Sequence, residues 1–294
     1  MRPFDHLVLP VVDLATARLR YQALGFTVAP DGIHPFGTAN CCVFLADGGF
    51  LEPLALYDRQ RRDVALAEQA NAAFVRTNAE FVASLGDEGF SHLVLRSADA
   101  TADQSAFKQA GIWSGATRFS RTADNGAGES QTVAFELVFA TDLLSPDAHF
   151  FCCQSLIPLE IDFSALRQHP NCVSGVRRIH STAADPRAHR SFAERFVGAS
   201  FEGPDEQIFA DLGGVTWMVQ TPGTLAEHMA IEERLLVTAS NGMLHRAVEF
   251  TTEDMSAAES CLQAAELPFW IAGESIVVPP GPGQGMWAIF GPGG

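Results

Sequence analysis

The chain writes one short strand twice, and that repetition limits its fold more than any other feature. Phe4 to Leu9 reads FDHLVL and Phe90 to Leu95 reads FSHLVL, each with a histidine at its third place. The segments downstream of the two copies recur as well. After the first come a helix-like run, LATARLRYQALGF from Leu14, and the β-rich NCCVFLADGGFLEPLAL from Asn40, with a hairpin signal at Asp47-Gly48-Gly49. After the second come ATADQSAFKQAG as helix, then WSGATRFSRTA, QTVAFELVFAT and HFFCCQS as strands. Two looser copies begin at VRRIHSTAADP and LHRAVEFTTED, carrying His180 and His245 in place of His6 and His92. A unit of about 50 residues that recurs in this way is a structural repeat before it is anything else.

The expected fold is therefore α+β: four repeated βαβββ modules forming two cupped mixed β-sheets with helices packed outside. Residues 1–165 form the first expected domain, with modules at 1–57 and 90–157. The Ala-, Arg- and Glu-rich stretch 58–89 between them has apolar residues at helical spacing and reads as a helical connector. Residues 166–294 form the second, with modules at 175–222 and 243–294. Module one closes its cup either with module two or with a partner subunit, as a homodimer.

Composition narrows the partners. Thirty-five acidic against nineteen basic residues leave a formal charge of −16, which repels nucleic acid and anionic membrane surfaces alike. No stretch approaches the roughly 20 apolar residues of a membrane span, and Asp5 and His6 interrupt the apolar start before a secretory core forms. The expected setting is the cytoplasm and the expected partner a small molecule. The six cysteines include the adjacent pairs Cys41-Cys42 and Cys152-Cys153, whose opposed strand directions suit neither a disulfide framework nor a CxxC site. No phosphate loop, dinucleotide fingerprint or serine nucleophile elbow is present.

A βαβββ unit repeated this way resembles the vicinal oxygen chelate superfamily of glyoxalases and extradiol dioxygenases. FDHLVLPVVDL, HPFGTAN at His34 to Asn40, GGFLEPLAL at Gly48 to Leu56 and the later HFFCCQS and LRQHPN are similar to its glyoxalase-like domain proteins. The resemblance implies a divalent metal (Fe, Mn, Zn or Ni) held by first and last strands of paired modules. His6, His92 and Glu52 occupy those places, a two-histidine, one-carboxylate set that leaves positions open for substrate and water. Strand alternation puts Phe4, His6 and Val8 on one face, and Glu52 sits in an apolar run where an unpaired carboxylate would be expensive. Gln154 is the candidate fourth ligand, where the superfamily offers a Glu or His.

The implied activity is that of a lyase, isomerase or dioxygenase on a small oxygenated metabolite, with His34, Thr38 and Asn40 as candidate substrate contacts. The alternative is a metal-free protein that traps a small molecule in the cupped sheet. Plainer readings stand beside these. His6 and His92 preserve only the fold if Glu52 pairs instead with Arg20 or Arg96, and HPFGTAN is also a simple turn into a strand. His180 and His245 read as hydrogen-bonded structural residues, because the last strands of their modules, VTWMVQTP and GMWAIFGP, contain no carboxylate. Trp217, Trp270 and Trp287 read as core.

Overall fold

The computed structural model of the chain describes residues 1–68, 72–236 and 242–293. Its strands gather into two sheets. The first contains β1 (Phe4–Pro10), β2 (Gly32–Ile33), β3 (Thr38–Asn40), β4 (Val43–Phe44), β5 (Phe50–Leu56), β6 (His92–Arg96), β7 (Trp113–Asp124), β8 (Ser130–Ala140) and β9 (His149–Ser155). They run in the order β2-β3-β5-β1-β6-β9-β8-β7, with β4 also on β5. The second contains β10 (Val173–Thr182), β11 (Gln207–Asp211), β12 (Thr216–Gln220), β13 (Leu244–Thr252), β14 (Trp270–Ala272), β15 (Ser275–Val278) and β16 (Trp287–Pro292), in the order β11-β12-β10-β13-β16-β15-β14.

One rule builds both sheets. The first and last strands of each module lie side by side and parallel, as β1 with β5, β6 with β9, β10 with β12 and β13 with β16. The first strands of paired modules then meet antiparallel, β1 against β6 and β10 against β13. Module one thus closes with module two of the same chain.

The helices are α1 (Leu14–Ala23), α2 (Arg59–Ala67), α3 (Ala72–Leu85), α4 (Ala100–Ala110), α5 (Arg190–Val197), α6 (Pro222–Met229) and α7 (Met255–Ala264). Asp13, Asp99 and Asp254 cap α1, α4 and α7, each side chain accepting from a backbone N–H of the first turn, which satisfies donors that the helix itself cannot. These helices and α5 lie outside, where Tyr21, Phe107, Phe196 and Leu262 join Leu7, Leu93, Ile179 and Phe250 in a core shared by both sheets. Each such side chain, fully buried, contributes roughly 1.5–3 kcal/mol relative to exposure.

Two helices depart from the expected outside placement. Helix α3 enters the first cup, where Phe74 and Val75 pack on Val8, Val94, Phe139 and Phe151. Helix α6 enters the second, where Leu225 and Met229 pack on Ala247, Val277 and Ile289. Both faces of each sheet are apolar, so both need cover, and the inter-module segments provide it. Trp217 is core, and Trp270 and Trp287 stack edge to face beside α6. Among the described residues no helix is long and apolar enough to cross a membrane.

A second departure matters more for the site. The β1–β6 register shifts between Phe4 and His6, so strict alternation fails at the start of β1. Phe4 joins Leu7 and Leu9 in the shared core, whereas Asp5 turns in beside His6. A bulge re-aims a side chain in just this way.

Candidate functional site

The first cup is hollow. Seven phenylalanines, among them Phe44, Phe50, Phe119, Phe135 and Phe151, help to line its cavity of about 410 Å³, with a polar patch formed by Asp5, His6, His34, Asn40 and Glu52. Cavities of this size that set a few polar groups in an apolar wall are the usual form of small-molecule sites.

The polar patch is one connected line. The Arg96 guanidinium donates to Asp5 Oδ1 at 3.0 Å, and Asp5 Oδ2 lies 2.7 Å from His6 Nδ1. His6 Nε2 faces Glu52 Oε2 at 3.4 Å, while Asn40 Nδ2 donates to Glu52 Oε1 at 2.6 Å. His34 completes the group, with Nε2 3.7 Å from Glu52 Oε1 and Nδ1 2.9 Å from Thr38 Oγ1. His6, His34, Thr38, Asn40 and Glu52 are all buried. Local sequence explains the arrangement. Glu52 and Leu54 share the inner face of β5, and Gly37, at φ +90°, makes the turn that brings His34 back over Thr38.

Burial and charge separate the two imidazoles. Burial opposes a charge on His6, but the Asp5 and Glu52 carboxylates that hold it outweigh this and lift it to about 9. His34 feels the same burial with weaker compensation and falls to about 4. Burial would raise Glu52, but hydrogen bonds from His6 and Asn40 and the nearby charges carry it down to about 2. Near neutral pH the patch therefore holds a cationic His6, an anionic Glu52 and a neutral His34. Buried Cys42 and Cys153 are pushed well up, so they stay as unreactive thiols. None of the six cysteines is in a disulfide.

The expected metal set is not assembled. His6 and Glu52 meet, but His92 is engaged elsewhere, its Nδ1 2.7 Å from Ser91 Oγ and its Nε2 2.8 Å from Thr77 Oγ1 on α3. Phe151 stands between the histidines, its ring 5.6 Å from that of His6 and 5.5 Å from that of His92. Gln154 also fails as a fourth ligand. Its Oε1 accepts from Ala100 N at the start of α4, and its Nε2 donates to Ala98 O. Arg96 pairs with Asp5 and Arg20 with Gln284, so neither neutralises Glu52. No three His, Cys, Asp or Glu side chains among the described residues of this cup bring ligand atoms within 4.8 Å of one another.

Two contributors to the cavity have no clear signal in the sequence. Strand alternation puts Asp5 on the opposite face, and only the bulge brings it in. Arg121 lines the cavity from β7 with its Nε buried and without a hydrogen-bond partner, and nothing in FSRTAD distinguishes it from an ordinary strand arginine.

Two mixed sheets of paired βαβββ modules, the third of them one strand short as β10-α5-β11-β12 where four full modules were expected, define the vicinal oxygen chelate fold. More particularly, the model of the glyoxalase-like domain matches residues 4–197, and the chain belongs to that family. No curated protein sequence matches the chain. Solved structures share the fold at low identity. A hypothetical protein from Staphylococcus aureus aligns with a TM-score of 0.69 at 12% identity, over 99% of this chain and 100% of its own. A mutant 4-hydroxymandelate synthase from Streptomyces coelicolor aligns at 0.61 and 13%, over 99% of this chain and 92% of its own. A Mn(II)-bound glyoxalase from Novosphingobium aromaticivorans aligns at 0.53 and 8%, over 99% and 82%.

Proposed function

We propose that the protein is an enzyme of the vicinal oxygen chelate class that takes a small aromatic carbonyl compound bearing an anionic group into the first cup and moves a proton on it, as an isomerase or lyase does. The observation that carries this reading is the buried Asp5–His6–Glu52 line opening into an aromatic cavity. An imidazolium anchored by a carboxylate polarises a carbonyl oxygen. When that oxygen takes the place of Glu52 as the acceptor for His6 Nε2, Glu52 loses the cation that depresses it, and burial then raises its affinity for the proton it removes. Asn40 holds the carboxylate in place, and Thr38 holds His34.

Arg121 indicates the anionic group, since its buried Nε has no partner and a substrate carboxylate would supply one. Phe119 and Phe135 supply stacking faces beside it. Relatives of this fold include a Mn(II)-bound enzyme, and the fold family implies a divalent metal, but the donors of the first cup do not converge as a three-residue centre requires. No step here depends on one.

The test is proton exchange. Aromatic 2-oxo acids are incubated with the protein in D2O, and deuterium entry at the carbon beside the carbonyl is followed by NMR. Exchange above the buffer rate, lost in Glu52→Gln and weakened through KM in Arg121→Ala, is the expected result. Tight binding with no exchange would overturn catalysis and leave a ligand-binding protein.

A further inference from the structure

The second cup contains the convergent donors that the first one lacks. His180 on β10, Glu249 on β13 and His228 on α6 bring their ligand atoms within 4.8 Å of one another. Glu249 Oε2 lies 3.4 Å from His180 Nε2 and 3.4 Å from His228 Nε2. Ligands bonded at ~2.0–2.1 Å in a tetrahedral shell stand roughly 3.3–3.4 Å apart, so these two gaps already match those around a bound ion.

A second observation points the same way. His180 and Glu249 are each 1% exposed, and their facing atoms, His180 Nε2 and Glu249 Oε2, complete no hydrogen bond among the described residues. Buried polar atoms left in that condition are costly, and an unfilled ligand position is one explanation for them. The rest of the carboxylate is occupied. Arg178 donates to Oε1 at 2.7 Å, which fixes the group so that Oε2 points at the imidazoles. Gln220 stands 3.0 Å from His180 Nδ1. Its Oε1 accepts from Gln207 Nε2 at 3.0 Å, so with both amides turned by half a revolution Gln220 accepts the Nδ1 proton, donates to Gln207 and leaves Nε2 as a ligand, the outer-partner role that metal-bound histidines require.

We propose that His180, His228 and Glu249 bind one first-row divalent cation, and that the ion clamps α6 into the second cup. Two imidazoles and a carboxylate suit Zn, Fe, Ni or Mn. His228 is partly exposed, with 38% of its side chain accessible, so the ion has a path to solvent. None of the three residues lines the cavity of the first cup. The ion is therefore separate from the substrate of the proposed reaction, and the two proposals can fail independently.

The experiment uses the full chain, stripped with chelator and dialysed against equimolar Zn2+, Ni2+, Mn2+ or anaerobic Fe2+. Metal content is read by elemental mass spectrometry and the melting temperature by circular dichroism. The expected result is near-stoichiometric uptake of at least one cation with a raised Tm; His6→Gln starts from a lower apo Tm and shows the same uptake and the same rise. In His228→Ala the affinity falls roughly 100-fold or more, exceeding the ~10–100-fold cost of losing an outer partner. His228 is part-exposed, so its removal leaves the apo fold and the apo Tm nearly unchanged, and Glu249→Gln provides an independent loss of binding. Three results would overturn the proposal: no cation bound stoichiometrically by wild type, wild-type affinity in His228→Ala, or uptake abolished in a His6→Gln protein that circular dichroism shows to be folded.

Discussion

Replacing His6 by Gln should change how stability depends on pH in a calculable way. Folded His6 titrates at about 9 rather than 6.5 because, against the opposing effect of burial, Asp5 and Glu52 stabilise its cation. Between those pH values the folded chain holds a proton that the unfolded chain has released, so stability falls as pH rises, by up to about 1.36 kcal/mol per pH unit. The contribution is fully present below 6.5 and is lost as the pH passes about 9, a total of ~3 kcal/mol. The ring is almost entirely buried, so solvent screening takes little from this figure. His6→Gln removes the titrating group, leaving Glu52 buried without its cation and Asp5 with Arg96 alone, and breaking a buried pair costs several kcal/mol (~3–5). Urea unfolding of both proteins across this pH range should show a large stability gap at pH 6.5 that shrinks by ~3 kcal/mol by about pH 9. Glu52 reports the same pair from its acid side: its share is present above 4.5 and lost as the pH falls through about 2, and it is not added to the first. A gap that stays constant from pH 6.5 to 9 would refute the ion-pair account.

Three further substitutions examine the geometry around the site. Gly37→Ala places a Cβ at φ +90° and 2.6 Å from Arg62 N, so thermal unfolding should show a loss of at least ~1–3 kcal/mol, with weaker ligand binding because His34 is carried on that turn. Gln154→Ala should cost ~1 kcal/mol through the freed Ala100 N–H, and elemental analysis should find its metal content equal to wild type. His92→Gln loses contacts to Ser91 and Thr77 and should lower stability by ~1–3 kcal/mol, while calorimetry finds ligand affinity in the first cup unchanged.

Most of the architecture is legible because repetition is visible in one dimension. Strand, helix and returning strands recur in the same order, and an aspartate caps the helix in three of the modules. The connector is legible as helix but not as the lining of a cup, since its apolar residues are spaced as they would be on any surface helix. Strand position pairs His6 with Glu52 correctly, but it does not bring in His92. Cross-strand register joins His6 to Val94 and Val8 to His92, so the two histidines are diagonal neighbours, and the side chain between them decides whether they meet. Glu249 is readable by the argument applied to Glu52, a lone carboxylate in an apolar strand, AVEF. It lies on the first strand of its module, however, and the resemblance points for a carboxylate only to the last strands. His228 carries no such signal, because only the docking of α6 puts it beside His180.

The two cups show how one duplicated framework comes to hold different chemistry. In both, the central antiparallel ladder brings titratable side chains to the inner face, and in both an inter-module helix descends on them. Helix α3 puts Thr77 against His92 and Phe74 against Phe151, which silences one histidine and leaves aromatic walls around a hollow. Helix α6 brings His228 to a carboxylate that already faces His180, and Trp270 and Trp287 pack against the same cluster as its apolar face. The ladder thus supplies donors in both halves, and the covering helix determines whether they face a cavity or each other. Exchanging the helices' inward residues, Thr77 for an imidazole or His228 for a hydroxyl, should therefore alter metal affinity in the corresponding cup while leaving sheet order intact.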